Sequence, residues 1–210
     1  IGQAIIGGVQ GGMGGTDPLS QMHHSCEQWD LFQRVSVAID VLKENGIGEL
    51  IPEVQSNIAV AMRNAKGHED VIAFPGRIVK HGKNIVTLAP PSFGGSKHVA
   101  NIVLTVLRFD PSQRAVMNIK YTEDILKICQ RLKFKIASFS RSDEPKRVKE
   151  KEGSSLEWGT EKAILDCGFV PDIIYDKGGM GKEEMIRVIA SDVETLVEKV
   201  LRIHRLHSAL

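Results

Sequence analysis

The segment that decides the fold runs from Asn57 to Arg108: NIAVAMRNAKGHEDVIAFPGRIVKHGKNIVTLAPPSFGGSKHVANIVLTVLR. Short apolar runs come first, at Asn57 to Met62, Asp70 to Phe74, Arg77 to Val79 and Asn84 to Leu88. They are rich in Val and Ile and several are separated by Gly or Pro, so each is expected as a short strand. The period then changes. Val99, Ala100, Val103, Leu104 and Leu107 recur at three- and four-residue steps between Lys97 and Arg108, which puts them on one face of a long helix. Consecutive strands ahead of one helix do not make regular βαβ alternation. The expectation is an α/β domain with a mixed sheet covered on both faces, not a doubly wound parallel sheet.

The flanks agree. Upstream, Leu31, Val35, Ala38, Ile39 and Leu42 predict a helix over Asp30 to Asn45, stopped by Gly46. Downstream, the pattern predicts a strand at Ala115 to Lys120 and a helix at Thr122 to Leu132 with Thr122 as N-cap. A strand at Lys135 to Ser140, a helix at Thr160 to Asp166, and strands at Asp172 to Asp176 and Met185 to Ala190 follow. Ser191-Asp192-Val193-Glu194 reads as a capping box opening the last helix. Residues 1–22 differ: seven of the twenty glycines fall between Gly2 and Gly15, and Asp17-Pro18 closes the stretch, as where a helix end runs into a linker.

Composition narrows the function. The 210 residues are 42% hydrophobic, enough to bury a core without covalent staples. The net charge is +1, from 27 basic and 26 acidic residues, without the basic excess of a nucleic-acid binder. The densest basic run, Lys146-Arg147-Val148-Lys149-Glu150-Lys151, has acidic neighbours and reads as a solvated face. No apolar run approaches the ~18 residues of a membrane helix, and the start lacks the basic region of a signal peptide. Cys26, Cys129 and Cys167 are odd in number and widely spaced, which suits a reducing, intracellular compartment. The chain does not begin with Met, as a fragment of a longer protein would not.

Four stretches carry side chains suited to phosphorylated small molecules. In Pro91 to His98, PSFGGSKH, Gly94 and Gly95 allow close backbone approach and Ser96 is placed to cap the helix. Lys97 and His98 oppose the positive end of the helix dipole, a conflict that a bound anion relieves; an ordinary glycine-rich cap accounts for the same residues. Arg77, directly after the Pro75-Gly76 turn, could grip phosphate oxygens bidentately, or be a surface arginine after a turn. In Phe139 to Pro145, at a strand end, Arg141 could bind anions, and Asp143 with Glu144 could hold a hydrated Mg²⁺, or the stretch is a polar loop. Tyr175 to Glu183 has three glycines within four residues and Lys182, and suits either a phosphate contact or a plain hairpin. Adjacent His23-His24 and the absence of H-x-H, H-E-x-x-H or Cys/His clusters argue against a zinc site. His204 and His207, near the end of the last helix, complement its dipole.

Taken in order, Leu50 to Asn57 (LIPEVQSN), Asp70 to Lys80 (DVIAFPGRIVK), Pro91 to Arg108, Ala115 to Tyr121 (AVMNIKY), Ser140 to Pro145, Glu152 to Glu161 (EGSSLEWGTE) and Pro171 to Ile186 resemble the ThiN family of thiamine-phosphate synthases, over roughly Trp29 to Leu201. The resemblance implies a three-layer α/β/α fold with a mixed sheet, like the AraD-type aldolase/epimerase fold, whose zinc histidines have no match here. It implies that hydroxymethylpyrimidine diphosphate and hydroxyethylthiazole phosphate are joined into thiamine phosphate, releasing diphosphate. Arg77 and His98 match the family's catalytic Arg and His; Gly94, Gly95 and Ser96 are implied to cradle phosphate, and Asn57, Asn118, Arg141, Asp176 and Lys182 to orient substrates. Mg²⁺ is expected with the diphosphate and zinc is not. A cytoplasmic homodimer is expected, with no nucleic-acid or membrane partner. Residues 1–22 resemble the tail of a phosphomethylpyrimidine kinase domain and linker, with 23–210 as the ThiN domain. Thr16-Asp17 departs from that kinase's usual ending, and its ATP and catalytic segments are missing, so no kinase activity is expected. Related domains in transcriptional regulators sense thiamine phosphates without turnover, which is the alternative; they tend to lose the Arg–His pair that this chain keeps.

Overall fold

A computed structural model describes residues 18–145, 148 and 154–210; the glycine-rich start up to Asp17 and the basic run at 146–151, Val148 apart, lie outside the described residues. In chain order come α1 (Pro18–Glu44), a 3-10 turn (Ile47–Leu50), β1 (Ile58–Ala61), β2 (Val71–Ala73), β3 (Ile78–His81), β4 (Asn84–Thr87), β5 (Ser92–Phe93) and α2 (Lys97–Phe109). Then follow β6 (Ala115–Lys120), α3 (Glu123–Arg131), β7 (Ile136–Ser138), α4 (Ser154–Cys167), β8 (Ile173–Asp176), β9 (Met185–Ala190) and α5 (Val193–His207).

Seven strands form one sheet in the order β5-β2-β1-β6-β9-β8-β7, and β3 and β4 form a separate hairpin. All pairings in the large sheet are antiparallel except β7 with β8, so the sheet is mixed. The hairpin is tied to the sheet's margin through the bridge between Ser56 and Ile78.

Alternation along the strands divides the core. Ile58, Val60, Met117, Ile119, Ile186 and Val188 pack with α1, α3 and α5. Their intervening neighbours Ala59, Ala61, Val116 and Ile189 face the other way, toward α2 and α4. Each buried Val, Leu or Ile contributes roughly 1.5–3 kcal/mol relative to exposure. The small alanines Ala59, Ala61 and Ala73 leave room for α2 to lie close to the sheet. The two faces account for strands that read as continuous apolar runs, such as β1.

Three boundaries differ from the sequence reading. α1 begins at Pro18, not Asp30, and runs through position 22. Its first turns expose Leu19, Met22 and Trp29, so no core periodicity marks them. α4 begins at Ser154, not Thr160, because its inward positions include Gly159 and Thr160, which do not register as an apolar stripe. The last helix is capped by Asp192, whose Oδ1 accepts from the Thr195 N–H at 2.8 Å, while the Ser191 hydroxyl bonds the Asp192 carboxylate. Glu194 is thereby free to pair with Arg34 of α1.

Two outcomes test this packing. A Cβ at Gly159 would lie 2.4 Å from Cε2 of Phe139, a buried ring set edge-on to Trp158. Gly159→Ala is expected to cost about 1–3 kcal/mol in denaturant unfolding. Separately, hydrogen bonds from Arg34 hold the Glu194 carboxyl below its usual range. A carboxyl with a depressed folded pKa stabilises at higher pH and loses that contribution as pH falls through the folded value. Glu194→Gln is therefore expected to flatten the loss of thermal stability below about pH 4.5.

Candidate functional site

A cleft of about 460 Å³ opens where β6 and β7 finish and β1 and β9 begin. Of the residues singled out in the sequence, Asn57, Arg77, Ser96, His98, Asn118, Arg141 and Lys182 line it. The hairpin supplies Arg77, the first turn of α2 supplies His98, and the 3-10 turn after β7 supplies Arg141. Two long cations and an imidazole, scattered over more than a hundred positions, thus meet with Arg77 at one surface.

The wall beside Arg77 is a strained segment clamped from several sides. Gln55 and Arg77 both have positive φ, 68° and 72°, in the region that side chains with a Cβ rarely adopt. The Gln55 side-chain oxygen accepts from Lys80 N and its amide donates to the Glu53 carbonyl, while Asn118 Nδ2 donates to the Gln55 carbonyl at 3.0 Å. Arg77 Nη1 donates to the Val54 carbonyl at 2.6 Å. From across the cleft, the Glu183 carboxylate accepts from the backbone N–H groups of Glu53 and Val54, both at 3.0 Å.

Asn57 and Asn118 serve this wall. The Asn57 amide donates to the Phe74 carbonyl and its oxygen accepts from Phe74 N and Ile58 N; Asn118 Oδ1 accepts from Asn57 N. Their side chains hold backbone, which leaves them less to offer a ligand than the sequence reading assumed.

The floor is ionic. Asp176, fully buried at the end of β8, accepts from Arg141 Nε at 2.6 Å, from Arg187 Nη2 at 2.7 Å and from Gly178 N at 3.0 Å. It does not line the cleft itself; it holds the arginines that do. Both guanidiniums lie over the Phe139 ring. Burial pushes the Arg187 guanidinium below its usual pKa, and the Asp176 charge pulls the other way. Beside them Lys182 donates to Ser155 Oγ at 3.1 Å and faces the buried Glu144 carboxylate at 3.7 Å.

At the α2 mouth, Ser96 has the extended backbone of an N-cap but its hydroxyl caps no helix N–H. Gly94 and Gly95 do not line the cleft. Gly95 is needed for a different close approach: a Cβ there would sit 2.4 Å from the Ala73 carbonyl oxygen of β2. The phosphate cradle read from the Gly-Gly pair therefore reduces to Ser96 and the first turn of α2.

The sequence reading missed Ser56, Ser155, Glu183 and Arg187, all of which line the cleft. Arg187 had a legible signal, a lone charge in the middle of the apolar run Met185 to Ala190. Glu183 had none, since its partners lie about 130 residues upstream.

For a metal, the described residues hold no group of three or more His, Cys, Asp or Glu side chains. Asp143 accepts from Ser142, and a cation on Glu144 would sit against the Lys182 ammonium. The carboxylates present do not suit a dedicated Mg²⁺ site. Among the described residues, no helix is long and apolar enough to cross a membrane.

The profile of the family described as thiamine-phosphate synthase ThiN matches residues 34–202. The chain is 38% identical to the thiamine-phosphate synthase ThiN of Methanothermobacter thermautotrophicus, over 78% of this chain and 86% of that protein. It is 42% identical to the bifunctional thiamine biosynthesis protein ThiDN of Methanocaldococcus jannaschii, over 86% of this chain but only 42% of the longer protein. A crystal structure of the C-terminal domain of a phosphomethylpyrimidine kinase superposes with a TM-score of 0.80 at 36% identity, covering 84% of this chain and all of that one.

The clamp on the strained wall is testable. Glu183→Ala removes two charge-assisted hydrogen bonds and is expected to cost about 1–3 kcal/mol of stability by thermal unfolding.

Proposed function

This chain belongs to the thiamine-phosphate synthase ThiN family, and we propose that its cleft joins hydroxymethylpyrimidine diphosphate to hydroxyethylthiazole phosphate, giving thiamine phosphate and diphosphate. The observation that carries the reading is that Arg77 and His98 line one cleft with three further cations, Arg141, Lys182 and Arg187.

The chemistry asks the protein for position and charge. The bond between the pyrimidine methylene and the diphosphate oxygen breaks, and its electron pair leaves with diphosphate. The thiazole nitrogen lone pair forms the new C–N bond. Negative charge builds on the departing oxygens, so donors fixed before the reaction stabilise the transition state more than the ground state. Arg77 is oriented by its bond to Val54, and among the described residues its remaining N–H groups are left for diphosphate oxygens. His98 donates a ring N–H to the same group. Ser96 and the unpaired N–H groups of the first α2 turn add further donors. Mg²⁺, when it accompanies the diphosphate, would be held by the diphosphate oxygens and water and would neutralise part of their charge.

We propose as well a layered architecture, a location and an assembly for this chain. The fold is three-layered and of the AraD-like aldolase/epimerase kind, which helices against both sheet faces support. The chain is cytoplasmic, forms a homodimer, and follows a kinase domain that ends near residue 22, in line with the bifunctional relative.

Purified protein supplied with both precursors and Mg²⁺ should form thiamine phosphate. Arg77→Ala and His98→Ala should each lower kcat by about 10²–10³-fold with unchanged circular dichroism. Binding of both precursors without any turnover by wild type would support the sensing role instead.

A further inference from the structure

We propose that the cleft floor is a second anion subsite, centred on Arg141 and Arg187, that takes a phosphate monoester; resting on the synthase reading, its ligand is the phosphate of the thiazole substrate.

The argument starts from charge balance in a place with little water. The Arg187 side chain is 1% exposed, Asp176 0% and Arg141 11%. Two guanidiniums share one carboxylate. Lys182 and Glu144 add one charge of each sign, and the Glu183 carboxylate is taken up by the backbone N–H groups of Glu53 and Val54 on the facing wall, so the Arg141–Arg187–Asp176 cluster itself keeps one positive charge in excess. A charge that is buried and unpaired costs several kcal/mol, and structures that retain one generally have a partner to receive. An anion in the cleft is that partner.

The donors are also in surplus. Among the described residues, Arg141 gives its Nε and Nη2 to Asp176 and its Nη1 to nothing. Arg187 gives Nη2 to Asp176, and its Nη1 makes only a 3.5 Å contact with the Met185 carbonyl. The arginines are held rigidly by Asp176 and the Phe139 ring, with forks that fit phosphate oxygens. One hydroxyl, Ser155, stands beside Lys182 at the floor, and a second, Ser56, lies on the facing wall next to Ile78. Ser155 lies in the first turn of α4, whose N–H groups favour an anion. Ser56 is 1% exposed, and its Oγ has no partner among the described residues.

Depth decides which phosphate goes where. Diphosphate is a leaving group and must reach solvent; Arg77 and His98 are exposed. The thiazole phosphate passes unchanged into the product, so its site needs no mobility and no chemistry, which suits a buried, preorganised pair.

The discriminating variant is Arg141→Gln. It leaves Arg187 and Asp176 as a balanced one-to-one pair, so it removes the excess charge without stranding a carboxylate. Calorimetric titrations with hydroxyethylthiazole phosphate and, separately, with inorganic pyrophosphate are compared in wild type, Arg141→Gln, Arg141→Lys and Arg77→Ala. The expected result is a loss of about tenfold or more in thiazole phosphate affinity for Arg141→Gln. Its KM for that substrate rises in parallel, its pyrophosphate affinity is nearly unchanged, and its Tm is equal to or above that of wild type. Arg141→Lys recovers part of the loss, and Arg77→Ala shows the opposite selectivity. A folded Arg141→Gln that binds both probes like wild type, or a lower Tm with no selective loss, overturns the proposal. Normal KM for thiazole phosphate in that variant removes the subsite and leaves the synthase; a wild type that binds thiazole phosphate through Arg141 but forms no product removes the synthase and leaves the subsite.

Discussion

The carboxylate of Asp176 sits fully buried at the end of β8, and two arginines from different parts of the chain converge on it. Desolvated charge of this kind is stable only when its partners are held in good geometry. That requirement fixes the turn after β7 against β8, and it fixes Arg187 of β9 on the α2 side of the sheet. The Phe139 ring that covers both guanidiniums is in turn braced by Trp158 and by the close approach of Gly159. One ion cluster therefore ties together the turn after β7, the end of β8 and the start of β9, and meets α4 through Phe139.

The opposite wall follows a different logic. It stores backbone strain at Gln55 and Arg77, and a set of side chain to backbone hydrogen bonds from Asn57, Asn118 and Glu183 holds that strain in place. Strain of this sort persists only where the surroundings over-determine it. Here it aims an arginine into the cleft from a hairpin that is not part of the main sheet. A rigid, cationic floor and a strained, cation-bearing wall thus face each other, and a reaction that builds negative charge on a leaving group benefits from both without any acid, base or nucleophile of unusual reactivity.

Much of this is legible in the amino-acid sequence. The short apolar runs and the three- and four-residue spacing located α2 and the strands other than β5, which was read only as part of the loop before α2, and Arg77, His98, Arg141 and Lys182 each stood out as polar groups beside turns, strand ends or helix starts. Asn57 and Asn118 stood out as polar residues beside strands, and their side chains also hold backbone at the cleft wall, a role that a polar residue beside a strand does not reveal in sequence. Gly95 likewise looked like room for a phosphate and proved to be room for the Ala73 carbonyl.

The amino-acid sequence by itself determined the local elements, the mixed α/β class and the cationic character of the loops, since periodicity, capping and turn chemistry are read within a few residues. Tertiary structure alone decided that β3 and β4 leave the main sheet, that Glu183 reaches back to Glu53 and Val54, and that Arg187 shares Asp176 with Arg141. Those are contacts between distant segments, and their energies depend on burial and mutual geometry that no local pattern of residues encodes.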